Sequence, residues 1–289
     1  MIVITGPTGN IGSQVVENLL AQDAPLRLIV RDPARLTPEV RERVEVVQGT
    51  HSEAEVVDKA FAGAEAVLWL VPADMSSESL DVYVDFARPA IEAFRRHGVG
   101  RVVGISALGR GFGNAGLVDA AVAMDDEIAA AGVNYRALTM PSFMDNMLGQ
   151  LESIKNEGVF FSPVSGDIKA PTCATRDIAA VASRLLLDDA WTGVAAVPVL
   201  GPEDLSFNEM AAIMTEVLGK PVRFQQIPGE AFKAQLLGFG MSEVMAQGML
   251  DMMEAKNRGM DTATPRTPEG TTPTTFRTWC EQVLLPAVR

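Results

Sequence analysis

Three glycines, Gly6, Gly9 and Gly12, follow a short apolar run at intervals of three in "IVITGPTGNIGSQVV", residues 2–16. The run at 2–5 has the length and apolarity of a buried strand. Ile11, Val15, Val16, Leu19 and Leu20 then recur at helical spacing over 10–21. The glycines therefore fall where a strand becomes a helix. A glycine at 6 permits a tight turn, one at 9 lets backbone approach a bound group, and one at 12 lets the helix close on the sheet. The start of such a helix offers free N–H groups and the positive end of the dipole, which suit a phosphate. The pattern is G-x-x-G-x-x-G rather than G-x-G-x-x-G, and an ordinary glycine turn is the alternative. The strand–turn–helix context favours dinucleotide binding.

The next strand, expected at 26–30 in "LRLIVRDPARL", sharpens this. An NAD site commonly has an acidic residue there for the ribose 2′-hydroxyl. Here Val30 is followed by Arg31, with Arg35 one turn later. Two guanidinium groups suit a 2′-phosphate, and so NADPH. Asp32 either weakens that attraction or caps the following turn. Two solvated surface arginines are the other reading.

Strand and helix patterns alternate to about residue 140, with strands at 2–5, 26–30, 44–48, 66–71, 101–105 and 134–140 and helices near 10–21, 52–62, 79–97 and 117–131. Gly63, Gly98 and Gly132 stand just past helices, as C-terminal stops. This predicts an α/β fold, a Rossmann-type doubly wound parallel sheet whose ligands meet the carboxyl ends of the strands. The loops to inspect are 72–77, 106–111 and 141–146. Beyond 146 the pattern breaks up, although strand, turn, helix, strand reads across 191–228 and a Met-rich helical region over 241–253. The expected organisation is a dinucleotide-binding domain at 1–146 and a smaller C-terminal α/β lobe at 147–289, packed as one unit over the strand ends.

Composition narrows the function classes. The 289 residues carry 24 Lys and Arg against 37 Asp and Glu, a net charge of −13, which argues against a nucleic-acid binder. No apolar run reaches the ~18–20 residues of a membrane span, and the first residues lack the basic region and cleavage site of a signal peptide. The cytoplasm is the expected location. Cys173 and Cys280 are far apart, and His51 and His97 lack ligand spacing, so neither a disulfide nor a metal site is expected. Oligomeric state stays open, a homodimer included.

The stretches "TGPTGNIGSQVVENLL", "LIVRDPARL", "SALGRG", "AAGVNYRALTMPSFMDNML", "ATRDIAAVASRLL" and "LGPEDLSFNEMAAIMTEVLGKPVRFQQIP", with the tail "TPEGTTPTTFRTWCEQ", resemble the NmrA-like branch of the atypical short-chain dehydrogenases/reductases, in family order and over nearly the whole chain. The resemblance implies NADPH held by Gly6, Thr8, Gly9, Asn10, Ile11 and Gly12, with Arg31 on the 2′-phosphate. It implies that Leu70, Val71 and Pro72, Ser106, and Pro141, Ser142 and Phe143 meet the nicotinamide side. Two departures stand out: "QGTHS" has Thr50 where many relatives have Asp near adenine, and "GLVDAAVAMDDEIAAAG" has neither the His nor the Lys that many carry there.

The chemistry is constrained by what is missing. The Tyr-x-x-x-Lys pair of many short-chain dehydrogenases is absent, because Ala87 and Thr139 stand four residues after Tyr83 and Tyr135. Tyr135 opens a strand, at the end of the sheet away from ligands, and reads as packing. "GISALG" is not a hydrolase elbow. His97 and Asp125–Glu127 read as solvated helix faces. Reducing a simple ketone makes an alkoxide that needs a nearby acid, whereas reducing a quinone makes a far less basic hydroquinone anion that water can protonate. A quinone or polycyclic aromatic acceptor stacked on nicotinamide is thus the expected substrate. Ser106 is the candidate for a hydrogen bond to its oxygen, a turn-forming role being equally open. Trp69, Met75, Phe143, Met144, Asn146 and Met147 are expected around the mouth, with methionines of 241–253 as further wall or as core. The expectation is an NADPH-dependent reductase, with oxygenation of the reduced product a further option. The rival is a non-catalytic NADP(H) sensor that binds a regulator.

Overall fold

The computed structural model describes residues 1–72 and 74–289. The chain runs β1 (Ile2–Thr5), α1 (Asn10–Leu20), β2 (Leu26–Val30), α2 (Pro38–Arg41), β3 (Glu45–Gln48), α3 (Ala54–Phe61), β4 (Ala66–Trp69), α4 (Val82–His97), β5 (Arg101–Ala107), α5 (Leu117–Ala130) and β6 (Asn134–Met140). It continues through β7 (Ser142–Phe143), α6 (Leu151–Glu157), β8 (Val159–Ser162), β9 (Ala170–Cys173), α7 (Thr175–Leu187), β10 (Val194–Pro198), β11 (Asp204–Leu205), α8 (Phe207–Leu218), β12 (Arg223–Gln226), α9 (Gly229–Gly238) and α10 (Glu243–Asn257). A broken helix over 276–288 closes it.

Seven strands form one parallel sheet in the order β10-β6-β5-β4-β1-β2-β3. The order reverses between β1 and β4, the point where an open α/β sheet leaves a crevice beyond its carboxyl edge. The period of two sorts side chains between two cores. Ile2, Ile4 and Leu68 face α1 and α7, while Val3, Val67 and Trp69 face α3 and α4. Each large aliphatic side chain buried this way contributes about 1.5–3 kcal/mol. A third core gathers Phe160, Met210, Met214, Phe276 and Trp279 from the C-terminal half.

The first strand expected within 191–228 does not stay within a separate lobe. Val194–Pro198 pairs in parallel with Tyr135–Thr139, so the seventh strand of the main sheet comes from beyond residue 146. Helix α7 likewise returns to pack on α1, and the Gln14 side-chain amide donates to Thr175 Oγ1 at 3.1 Å. No helix among the described residues is long and apolar enough to cross a membrane.

Candidate active site

The β1–α1 turn has the geometry its glycines require. Gly6 has φ +60°, and its carbonyl accepts the Gly9 N–H at 3.1 Å. A Cβ on Gly12 would stand 2.1 Å from the Gly6 oxygen, so only glycine lets the helix sit this close to the turn. The Ser13 N–H reaches back to the Gly9 carbonyl at 2.9 Å, and no side chain caps the helix. The N–H groups of Asn10, Ile11 and Gly12 therefore have no intrahelical partner. The Ile11 side chain itself is buried in the core, so what it offers a ligand is backbone.

Gly6, Pro7 and Thr8 form one wall of a cleft of about 800 Å³ at the β1–β4 crevice, and Arg31, Arg35 and Thr50 lie across from them. Asp32 Oδ1 accepts the Ala34 N–H at 3.0 Å and caps the turn over Pro33–Arg35. Asp32 therefore acts as the cap, and Arg31 and Arg35 are exposed with no ion pair among the described residues. Gly9, Asn10, Ile11 and Gly12 do not line this cleft but follow directly on its Gly6–Thr8 wall, and the orphan amides of the last three with the unpaired guanidinium groups are donors of the kind a dinucleotide bearing a 2′-phosphate takes.

His51 also lines this cleft, a role the sequence reading did not give it. Its Nε2 lies 2.7 Å from the Leu70 carbonyl, which can only accept, so that nitrogen carries the proton. The ring stands edge-on to Trp69 and Phe86, at 5.2 and 4.8 Å. Burial pushes its pKa down to about 4, the Leu70 bond opposing and the Arg31 charge assisting. The Leu70 N–H donates to Thr5 Oγ1, whose hydroxyl donates to Leu68, both at 2.9 Å. Leu70 is thereby fixed on the cleft wall, which Pro72 also lines, whereas Val71 is half-buried against the α4 side.

Trp69 is not at a ligand mouth. It is 0% exposed, because strand alternation turns it with Val67 under α4, where it meets Phe94 at 5.9 Å. Met75 lines neither cavity, and its carbonyl accepts the Ser242 N–H at 2.9 Å.

At the end of β5, the Ser106 hydroxyl donates to Asp125 Oδ2 and the Tyr135 hydroxyl donates to Asp125 Oδ1, each at 2.5 Å. The solvated-face reading holds for the exposed Asp126 and Glu127 and fails for Asp125, which is 2% exposed. Burial raises the Asp125 carboxyl, while both hydroxyl bonds and Arg110, 3.7 Å away, pull it down. Tyr135 packs as expected and also carries this bond. It fills the space over Gly104, where a Cβ would lie 2.1 Å from its hydroxyl. Ser106 spends its one proton on Asp125 and lines neither cavity, so it does not donate to a ligand in this arrangement.

Beyond β6, Pro141 is buried, and Ser142 and Phe143 pair with Thr172 and Cys173 of β9. The Asp145 carboxylate accepts the N–H and hydroxyl of Thr175, both at 2.9 Å, and pins this loop to the start of α7. Ser142, Phe143, Asn146 and Met147 line a second cavity, of about 180 Å³, together with Phe160, Phe207 and Met253. Met144 turns away into the third core. Of the methionines over 241–253, Met253 reaches this wall and Met245 is buried core.

The NmrA-like family model matches residues 1–281. An NAD(P)H azoreductase of Xenophilus azovorans is 29% identical over 262 residues, covering 87% of this chain and 86% of that protein. A (4-alkanoyl-5-oxo-2,5-dihydrofuran-3-yl)methyl phosphate reductase of Streptomyces griseus is 33% identical over 240 residues, covering 82% and 80%. An NADPH-dependent quinone oxidoreductase of Escherichia coli, solved with NADPH, is similar with a TM-score of 0.79 at 25% identity, covering 96% of this chain and 97% of that one.

Proposed function

The chain belongs to the NmrA-like family, and from that membership we propose that it is an NADPH-dependent reductase of a quinone or related flat aromatic acceptor. The carrying observation is a pair of features: a cleft walled by the Gly6–Thr8 turn with unpaired guanidinium groups, and an apolar cavity lined by the Ser142–Phe143 strand. The relatives named as an NAD(P)H azoreductase and an NADPH-dependent quinone oxidoreductase support the same reading.

The amides of Asn10, Ile11 and Gly12 would hold the diphosphate. Arg31, with Arg35 behind it, would hold the 2′-phosphate, and Thr8 and Leu70 would line its path. Pro72 on one side, and Pro141, Ser142 and Phe143 on the other, would direct the nicotinamide toward the second cavity. Bound reduced nicotinamide supplies hydride to the acceptor. Asn146 and Met147 would meet the acceptor, and the phenyl rings would exclude water from it. A dry cavity of about 150 Å³ accommodates a benzene ring, so the 180 Å³ here has room for an aromatic ring. Without a Tyr–Lys pair, proximity does most of the work, which suits an acceptor whose reduced anion is a weak base.

The test is NADPH oxidation followed by its absorbance with a panel of benzoquinones and naphthoquinones, beside calorimetric titration of NADPH. Saturable turnover is expected. Tight NADPH binding with no turnover on any quinone would sink the reductase and favour a nucleotide sensor. Oxygen uptake in step with NADPH loss would show that the reduced product passes electrons to oxygen.

A further inference from the structure

The cleft beside Arg31 holds an acceptor that the fold itself does not use. β3 leaves the sheet against the end of β2: the Gly49 N–H donates to the Val30 carbonyl at 3.1 Å, and Gln48 Nε2 to the Arg31 carbonyl at 3.3 Å. His51, two residues beyond Gly49, lines the same cleft as Arg31. Its Nε2 proton goes to the Leu70 carbonyl, which leaves Nδ1 as a lone pair in the ring plane. Trp69 and Phe86, both edge-on to the ring, hold that plane with the Leu70 bond. Nδ1 has no donor among the described residues, and unlike the enclosed, unpartnered nitrogens of Trp69, Arg101 and Trp279 it is accessible, the cleft being its outlet. Burial pushes the ring's pKa down to about 4, so the lone pair is present at neutral pH. The neighbouring oxygens are less suited to a ligand donor. The Thr50 and Ser52 hydroxyls bond to each other at 3.1 Å. Asp32 and Asp74 are exposed, and a hydrated carboxylate exchanges water for a ligand N–H at small net gain.

A 2′-phosphate on Arg31 fixes where the base comes down. The base is carried on the ribose carbon next to the one bearing that phosphate, so it lies on the Arg31 side of the cleft. The only N–H donor on adenine is its 6-amino group. We infer that His51 reads the base of the cofactor, Nδ1 accepting a hydrogen bond from the adenine 6-amino group. His51 is then a specificity-determining residue for the base, as Arg31 is for the phosphate. A base with oxygen at that position would set lone pair against lone pair. The inference rests on the cleft being the NADPH site proposed above.

Calorimetry with NADPH and with deamino-NADPH, the hypoxanthine analogue that carries a carbonyl oxygen in place of the amino group, tests it. The wild-type protein should bind NADPH about tenfold more tightly than the analogue. His51→Phe keeps a ring against Trp69 and Phe86 and removes the lone pair, so the ratio should fall to about one. A purely structural role for His51 would weaken both cofactors alike and leave their ratio as it was. A second measurement needs no variant. The chain has two histidines, so the nitrogen resonances of isotope-labelled histidine resolve His51 from His97, which bonds to Asp58 on the surface and serves as the internal control. NADP⁺ should move the His51 Nδ1 resonance and deamino-NADP⁺ should leave it in place. NADPH bound without preference over the analogue, a preference that survives in His51→Phe, or an Nδ1 resonance that NADP⁺ does not move would each overturn the inference and leave the cofactor reading standing. Absent binding of NADPH would overturn both.

Discussion

On the proposed reading Arg31 would carry the choice between the two nicotinamide cofactors, because Asp32 is committed to the turn it caps and leaves the guanidinium free. A hydrogen bond to a charged partner contributes about 1.5–3 kcal/mol. Arg31→Ala should therefore raise the NADPH dissociation constant roughly 10- to 100-fold and leave NADH within about twofold, read by titration of cofactor fluorescence. His51 carries a pH dependence of stability. Its pKa falls from 6.5 to about 4 on folding, chiefly through burial. The unfolded chain thus takes up a proton that the folded chain refuses. Its contribution is complete above 6.5 and is lost as pH falls toward 4, at up to about 1.4 kcal/mol per pH unit. Urea unfolding at pH 7 and pH 5 should show a smaller acid loss in His51→Gln than in the wild type. Asp125 has the opposite sign. Burial raises its carboxyl, so its contribution is complete below the ordinary carboxylate range and is lost as pH rises through the raised value. Asp125→Asn should gain on the wild type in melting temperature from pH 4 to pH 8. The Asp125 and Trp69 environments could not be read locally. The partners of Asp125 lie 19 and 10 residues away, and the facing of Trp69 depends on which helix covers its side of the sheet.

At the level of elements, the regular part of the fold was readable because length and periodicity agree there. The strands expected at 2–5, 26–30 and 134–140 coincide with β1, β2 and β6, and the helix at 117–131 ends one residue from α5. The last strand expected within 191–228 is β12, whereas β7, β8, β9 and β11, two to four residues long in a stretch without a clear pattern, owe their pairing to partners such as Ala170 with Leu205. The cofactor turn was legible for the reverse reason, since each glycine answers a local need. Gly12→Ala would drive a methyl into the Gly6 carbonyl, backbone against backbone, with no side chain free to yield. Overpacking of this kind costs about 1–3 kcal/mol. The expected outcome is a loss of that size in urea unfolding together with loss of NADPH binding, since the same shift moves the amides of α1.

Over the whole molecule, the core crosses the division expected at residue 146. Ile178, Ala179, Ala182 and Leu186 of α7 share one core with Val15, Val16 and Leu19 of α1, and β10 covers the edge of β6. Cutting after 146 removes that cover. It bares an apolar stripe on α1 and leaves the outward backbone groups of Tyr135–Thr139 without partners. Each large side chain so exposed forfeits about 1.5–3 kcal/mol, and a domain has only about 5–15 kcal/mol of net stability to lose. The fragment 1–146 should therefore unfold without a cooperative urea transition, associate through its bare edge and fail to bind NADPH, although it holds every glycine and arginine of the cofactor cleft. Mixing it with fragment 147–289 should restore a cooperative transition and cofactor binding. A fragment 1–146 that binds NADPH by itself would instead show that the first 146 residues fold independently and that α7 and β10 are later cover.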